Sequence, residues 1–131
     1  MARLLVIDDD ENIRFLLREE FTLAGHSVQS ASDGPSGLEA ARLNRPDLVI
    51  LDLKMPGMGG LEVLARLKGT CPGVPVFLFT AYGDCRDQAK ALGADAYIVK
   101  SCNLSPLTEA VFAAVGRPGA ALPVTPLPRS S

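Results

Sequence analysis

The chain has 131 residues, with 13 basic and 15 acidic side chains and a net charge of −2. That length is one ordinary domain, large enough to bury a core without disulfide or metal staples. Short apolar runs, three cysteines without metal-type spacing and near-balanced charge argue against a membrane span, a disulfide scaffold and a basic DNA-binding module.

The first apolar run, residues 4–7, leads straight into Asp8, Asp9, Asp10 and Glu11, which no signal peptide does. A cytoplasmic chain with reduced thiols is therefore expected. Next, Ile13, Leu16, Leu17, Phe21 and Ala24 recur at steps of three and four, a helical stripe that Gly25 is placed to end. A weaker strand follows over Ser27–Ala31 and a weaker helix over 36–43. Leu48–Leu51 is a fully apolar run closed by Asp52, and Leu61, Leu64, Ala65 and Lys68 have helical spacing. The run 76–79 is closed by Thr80 and Ala81, a helix is expected over 84–92, and the run 97–99 is closed by Lys100. A last stripe of Leu107, Ala110, Val111, Ala114 and Val115 completes five strands alternating with five helices. This pattern implies an α/β fold, a doubly wound five-stranded parallel sheet with helices on both faces.

From Gly116 the composition changes: residues 116–131 hold four of the ten prolines and no acidic residue. The sequence therefore divides into a folded domain over 1–115 and a Pro-rich tail or linker stub over 116–131. Arg117 and Arg129 belong to the tail, which leaves the domain 11 basic against 15 acidic side chains.

In such sheets ligands bind beyond the carboxyl ends of the strands. That rim collects Asp8, Asp9, Asp10 and Asp52, the hydroxyl of Thr80 and the ammonium of Lys100. Clustered carboxylates are relieved by protonation or by a cation, and an all-oxygen site suits Mg²⁺. A carboxylate beside Mg²⁺ is a competent nucleophile toward phosphorus, with Thr80 and Lys100 available to the phosphoryl oxygens. Asp10 is better read as the cap of the first helix than as a ligand. Taken singly, Thr80 and Lys100 are ordinary strand-end residues; their common rim gives them weight.

The segments Leu-Val-Ile-Asp8-Asp9-Asp10-Glu-Asn-Ile-Arg, Leu-Val-Ile-Leu-Asp52-Leu-Lys-Met-Pro56, Phe-Thr80-Ala81 and Gly-Ala-Asp-Ala-Tyr97-Ile-Val-Lys100 together resemble the receiver domain of bacterial two-component response regulators. The resemblance covers about residues 3–115. It implies the strand order 2-1-3-4-5 of the chemotaxis member of that family. It implies Asp52 as phosphoacceptor, Asp9 as direct Mg²⁺ ligand, Asp8 acting mainly through water, and a backbone carbonyl from Lys54. Thr80 and Lys100 match the phosphate-sensing pair, Ala81 the small residue beside the phosphoryl group, and Tyr97 the aromatic switch. Lys54 and Tyr82 occupy positions that tune access and phosphate lifetime. The implied partner is a sensor histidine kinase or a histidine phosphotransferase, and the implied protein is a phosphoacceptor that assists its own chemistry, not a turnover enzyme.

Two residues depart from the family pattern. Gly59 stands where Asp is common, for which a looser turn and intact chemistry are expected. Ser101 stands where Pro usually follows the Lys through a cis bond. A non-proline cis bond costs about 2.5–4 kcal/mol, so a trans peptide between Lys100 and Ser101 is expected, with Lys100 reaching the pocket through its long stem.

Two other readings compete. A pseudo-receiver that signals without phosphate is opposed by the full set Asp9, Asp52, Thr80 and Lys100. A haloacid-dehalogenase-type phosphatase fits Asp8-Asp9-Asp10 but lacks the usual hydroxyl, Asn12 standing in its place. Elsewhere, His26 reads as a surface or capping residue, and Cys85 and Cys102 as small apolar packers. Phe112 falls off the last helical stripe and is a candidate for a partner surface. The last helix carries Glu109 but no cation, so a monomer or a weak, apolar dimer is expected, with no DNA-binding output in these residues.

Overall fold

The computed structural model describes residues 2–81, 85–101 and 103–116. Strands and helices alternate throughout: β1 (Arg3–Ile7), α1 (Glu11–Leu23), β2 (Ser27–Ala31), α2 (Gly34–Leu43), β3 (Leu48–Leu51), α3 (Gly60–Thr70), β4 (Val76–Thr80), α4 (Arg86–Ala91), β5 (Ala96–Val99) and α5 (Ser105–Val115). All strand pairs are parallel, and the sheet order is β2-β1-β3-β4-β5. This is the expected architecture.

Strand side chains alternate between faces, and the two cores sort by that parity. Leu5, Ile7, Val49, Leu51, Val76 and Leu78 face α2, α3 and α4. Leu4, Val6, Leu48, Ile50, Phe77 and Phe79 face α1 and α5, where they meet Leu17, Phe21, Leu107 and Val111. Both faces are covered, so the central strands are apolar without alternation. Each fully buried side chain of this size contributes about 1.5–3 kcal/mol of hydrophobic stabilisation.

Helix boundaries follow local chemistry. Asp10 caps α1 by accepting the N–H of Asn12 at 2.9 Å, and Gly25 past its end adopts φ 92°. α2 starts two residues earlier than expected because Asp33 caps it, accepting from Ser36 N–H at 2.8 Å, with Pro35 in the first turn. α4 is shorter than expected and buries only Ala89 among its residues; Asp84, within the expected span, lies outside the described residues, as does Cys102. Lys68 and Asp95 form a clasp at the opposite end of the sheet from the acidic rim. Lys68 Nζ lies 2.7 Å from Asp95 Oδ2, which also accepts the N–H of Val76 at 2.8 Å.

Leu16, Ala65, Ala114 and His26 differ from expectation: Ala65 and Ala114, on the expected apolar stripes of α3 and α5, are exposed. Leu16, on the apolar stripe expected for the first helix, is 47% exposed, beside Phe15 and Leu23 on the outer side of α1. The inward line of α1 is Ile13, Leu17 and Phe21, at strict steps of four. His26 is buried, because the left-handed Gly25 turns it under the end of α1. Its Nδ1 accepts the N–H of Ala2 at 3.0 Å, and its Nε2 has no hydrogen-bond partner among the described residues. Phe112 is half-buried, with its ring edge-on to Phe21 at 5.9 Å and 6.1 Å from the ring of His26. Cys85 is half-buried against the core and Cys71 is buried; neither is in a disulfide. No helix among the described residues is long and apolar enough to cross a membrane.

Candidate functional site

The parallel ladder continues one residue past the strands and carries the site residues with it. Asp8 N–H donates to Ala31 O at 3.1 Å, Asp52 N–H to Ile7 O at 2.9 Å, and Lys100 N–H to Thr80 O at 2.7 Å. Those backbone bonds fix Asp8 beside Asp52 and Lys100 beside Thr80 at one rim. Thr80 is the last residue of β4, not the first beyond it, and is fully buried.

One ligand oxygen each from Asp8, Asp9 and Asp52 lies within 4.8 Å of the others. Asp8 and Asp52 are buried, while Asp9 is exposed and leaves the cluster open to solvent. Lys100 reaches into the cluster, with Nζ 2.9 Å from Asp8 Oδ2 and 3.6 Å from Asp52 Oδ2. Its ammonium also lies 5.9 Å from the ring centroid of Phe79. Asp8 Oδ1 accepts the N–H of Asp10 at 2.9 Å, which closes the turn into α1.

The electrostatics of the site follow from burial. Burial pushes the Asp8 carboxyl above the usual Asp range, and the nearby Asp52 charge adds to the rise. The hydrogen bonds from Lys100 and from the Asp10 N–H oppose it. Burial works against the Lys100 ammonium as well, but its hydrogen bond to Asp8 and the charges of Asp8 and Asp52 outweigh that and raise it. Lys100 is thus the internal counter-ion of a pocket with a surplus of carboxylate. Three oxygen donors with open space on one side fit a hard divalent cation such as Mg²⁺.

The peptide between Lys100 and Ser101 is trans, since there are no cis bonds among the described residues. The loop after it is braced by small polar side chains. Ser101 Oγ donates to Asn103 O at 3.0 Å and accepts its N–H at 3.3 Å, and Asn103 Oδ1 accepts the N–H of Ser105 at 3.0 Å. Lys54 and Ala81 are exposed next to the rim, Tyr97 is half-buried on β5, and Tyr82 lies outside the described residues.

Gly59 removes a side-chain cap. It is the N-cap of α3, with φ −75° and ψ 162°, and no side chain bonds the first turn. The tight part of that loop is Gly57, at φ 76°.

Two residues of the site had no assigned role in the sequence. Arg14 Nη1 donates to the carbonyl of Asp8 at 2.8 Å and ties α1 back to the acidic turn. Gly60 packs so closely on the end of β3 that a Cβ there would lie 2.5 Å from Leu53 Cα, and its N–H donates to Leu53 O at 2.9 Å. The Arg14 contact leaves no sequence signal, because an Arg four residues after a helix cap is usually solvated. The run Gly57-Met58-Gly59-Gly60 does signal a close approach, without saying which glycine makes it.

Comparison with known proteins gives the same picture. The family described as the response regulator receiver domain matches residues 4–112. Sporulation initiation phosphotransferase F of Bacillus subtilis is 38% identical over 111 residues, covering 83% of this chain and 90% of that protein. Transcriptional regulatory protein AfsQ1 of Streptomyces coelicolor is 43% identical over 102 residues, 76% of this chain but 45% of that protein, so this chain spans about half the length of such regulators. The response regulator TrrA of Thermotoga maritima, solved in complex with Mg²⁺ and BeF, superposes with a TM-score of 0.80 at 40% identity, covering 85% of this chain and 96% of that one. TrrA has also been solved in complex with the histidine kinase ThkA, again with a TM-score of 0.80, covering 88% of this chain and 99% of that one. The chain belongs to the receiver-domain family of response regulators.

Proposed function

We propose that this receiver takes a phosphoryl group onto Asp52 from a phosphohistidine of a sensor histidine kinase or histidine phosphotransferase, in a Mg²⁺-dependent reaction, and signals by the rearrangement that follows. The observation that carries the reading is the convergence of Asp8, Asp9 and Asp52 within 4.8 Å, with Lys100 reaching two of them.

In the transfer, a carboxylate oxygen of Asp52 forms the new bond to phosphorus as the phosphorus–nitrogen bond of the donor breaks, and the imidazole leaves with the electron pair. Asp8, Asp9, Asp52 and the carbonyl of Lys54 are the groups that would hold Mg²⁺, which when bound neutralises charge on the phosphoryl oxygens. Lys100 exchanges its carboxylate partners for a phosphoryl oxygen, and the Thr80 hydroxyl donates to another. Ala81 leaves room beside them, and Lys54 and Tyr82 tune access and lifetime. Movement of Thr80 opens space for Tyr97 to turn inward.

The receiver occupies 1–115, with 116–131 a tail or linker stub; α5 ends at Val115 and Gly116 follows at φ 92°. Its role is phosphoacceptance and signalling, without turnover of a separate substrate and without a nucleic-acid site in this chain. The setting is cytoplasmic. Any pairing through α5 is weak and rests on apolar contacts near Phe112, because Glu109 is the helix's only charge. Mass spectrometry after incubation with acetyl phosphate and Mg²⁺ tests the assignment. A phosphoryl mass gain is expected for the wild type and none for Asp52→Asn; a gain that persists in the variant would overturn it.

A further inference from the structure

We propose that Arg86 is a positioning residue that clamps Tyr97 and thereby sets how strongly this receiver resists activation. The proposal rests on the receiver reading above. Arg86 is the first residue of α4, and its guanidinium carbon lies 4.7 Å from the centroid of the Tyr97 ring. Its Nη1 also donates to the carbonyl of Tyr97 at 3.4 Å. One side chain therefore holds both the ring face and the backbone of the same β5 residue. Beside the ring is a pocket of about 300 Å³ between α4 and β5, lined by Arg86, Ala89, Lys90, Ala94 and Tyr97.

A planar guanidinium stacks on an aromatic face and donates in its own plane at the same time; an ammonium cannot do both. The clamp is made in the conformer in which Lys100 is engaged with Asp8 and Asp52. An interaction present in one of two conformers biases the equilibrium by its own free energy, and linkage transfers that bias to any ligand that prefers the other. If Tyr97 leaves Arg86 when it turns inward, the clamp opposes phosphoryl uptake on Asp52. A cation–π contact at a partly exposed site corresponds to roughly a two- to five-fold change in such an equilibrium.

The test uses the full chain labelled with 3-fluorotyrosine, its Tyr97 resonance assigned by its loss in Tyr97→Phe, and titrated with beryllofluoride at fixed Mg²⁺. Arg86→Gln is expected to move the Tyr97 resonance of the free protein and to lower the half-saturating beryllofluoride concentration about two- to five-fold. Arg86→Lys should fall between the two, and Arg86→Gln should have a clearly smaller effect in a Tyr97→Leu background, where only the bond to the carbonyl of residue 97 is left. An unmoved Tyr97 resonance in Arg86→Gln, an unchanged half-saturation, or an equal effect in the Tyr97→Leu background would overturn the clamp alone. A wild type that ignores beryllofluoride would overturn the receiver reading, and this inference with it.

Discussion

Lys100 Nζ sits 2.9 Å from Asp8 and 3.6 Å from Asp52, so one ammonium spans the two buried carboxylates that directly follow neighbouring strands. Removing the single cation of a buried cluster with surplus carboxylate costs more than the net worth of the contact, because the remaining carboxylates lose their counter-ion. Lys100→Met is therefore expected to destabilise the protein by about 2 kcal/mol at neutral pH. Millimolar Mg²⁺ should restore more stability to this variant than it adds to the wild type, since the cation replaces the missing charge. Thermal melts of both proteins with and without Mg²⁺ check this; an equal response in the two would refute it.

The raised Asp8 carboxyl makes a prediction of definite sign. A folded-state pKa above the unfolded value means that the native protein favours protonated Asp8, and that this advantage is lost as pH rises through the folded pKa. Above the raised pKa, the ionised, buried Asp8 is thus a net cost to folding. Asp8→Asn should raise the melting temperature at pH 7, with the gain shrinking as pH falls through the raised Asp8 pKa toward the ordinary Asp value of 3.8. For Lys100 the sign is the familiar one: its raised pKa contributes stability that is present at neutral pH and lost only as pH climbs above about 10.5. Melting curves of wild type and Asp8→Asn between pH 4 and 8 decide the point. A gain that grows toward low pH would contradict it.

The same Asp8→Asn variant should bind Mg²⁺ more weakly, because it gives up one carboxylate of the cluster. For the wild type, a ligand that binds only the folded state adds RT ln(1 + [L]/Kd), about 1.4 kcal/mol at ten times Kd. The Mg²⁺-dependent rise in melting temperature should be several degrees for the wild type. It should be clearly smaller for Asp8→Asn and Asp9→Asn. Identical rises in all three would mean that the acidic cluster is not where the cation binds.

The fold was legible because parallel strands buried on both faces announce themselves as continuous apolar runs, and the rim residues follow directly from where those runs end. Asp8, Asp52, Thr80 and Lys100 needed only that rule, since the ladder carries each of them in register. The errors lay where a local pattern is ambiguous. Leu16 and Leu17 both satisfy a step of three or four, and only the packing of Phe21 against α5 decides which faces inward. His26 looks like a surface residue until the amide of Ala2, twenty-four residues away, becomes its donor. Arg14 and Arg86 are charged residues on helix surfaces by pattern, and their contacts with Asp8 and Tyr97 depend on how helices sit over neighbouring loops and strands. Contacts of that kind carry no period in the sequence.

The two glycines at the start of α3 are expected to behave in opposite ways. A Cβ on Gly60 would lie 2.5 Å from Leu53 Cα, backbone that cannot move without displacing the end of β3 and Asp52 with it. Gly60→Ala should therefore destabilise by about 3 kcal/mol, at the upper end of overpacking costs. It should also slow phosphorylation from acetyl phosphate, because Asp52 is the residue next to Leu53. Nothing lies within 4 Å of a Cβ on Gly59, whose φ of −75° suits any residue. Gly59→Asp supplies the side-chain cap that α3 lacks and should raise stability by a few tenths of a kcal/mol. Urea unfolding of the two variants, with phosphorylation rates measured in parallel, separates them. Comparable losses in both would mean that the loop, and not the close approach of Gly60 to β3, limits the geometry of the site.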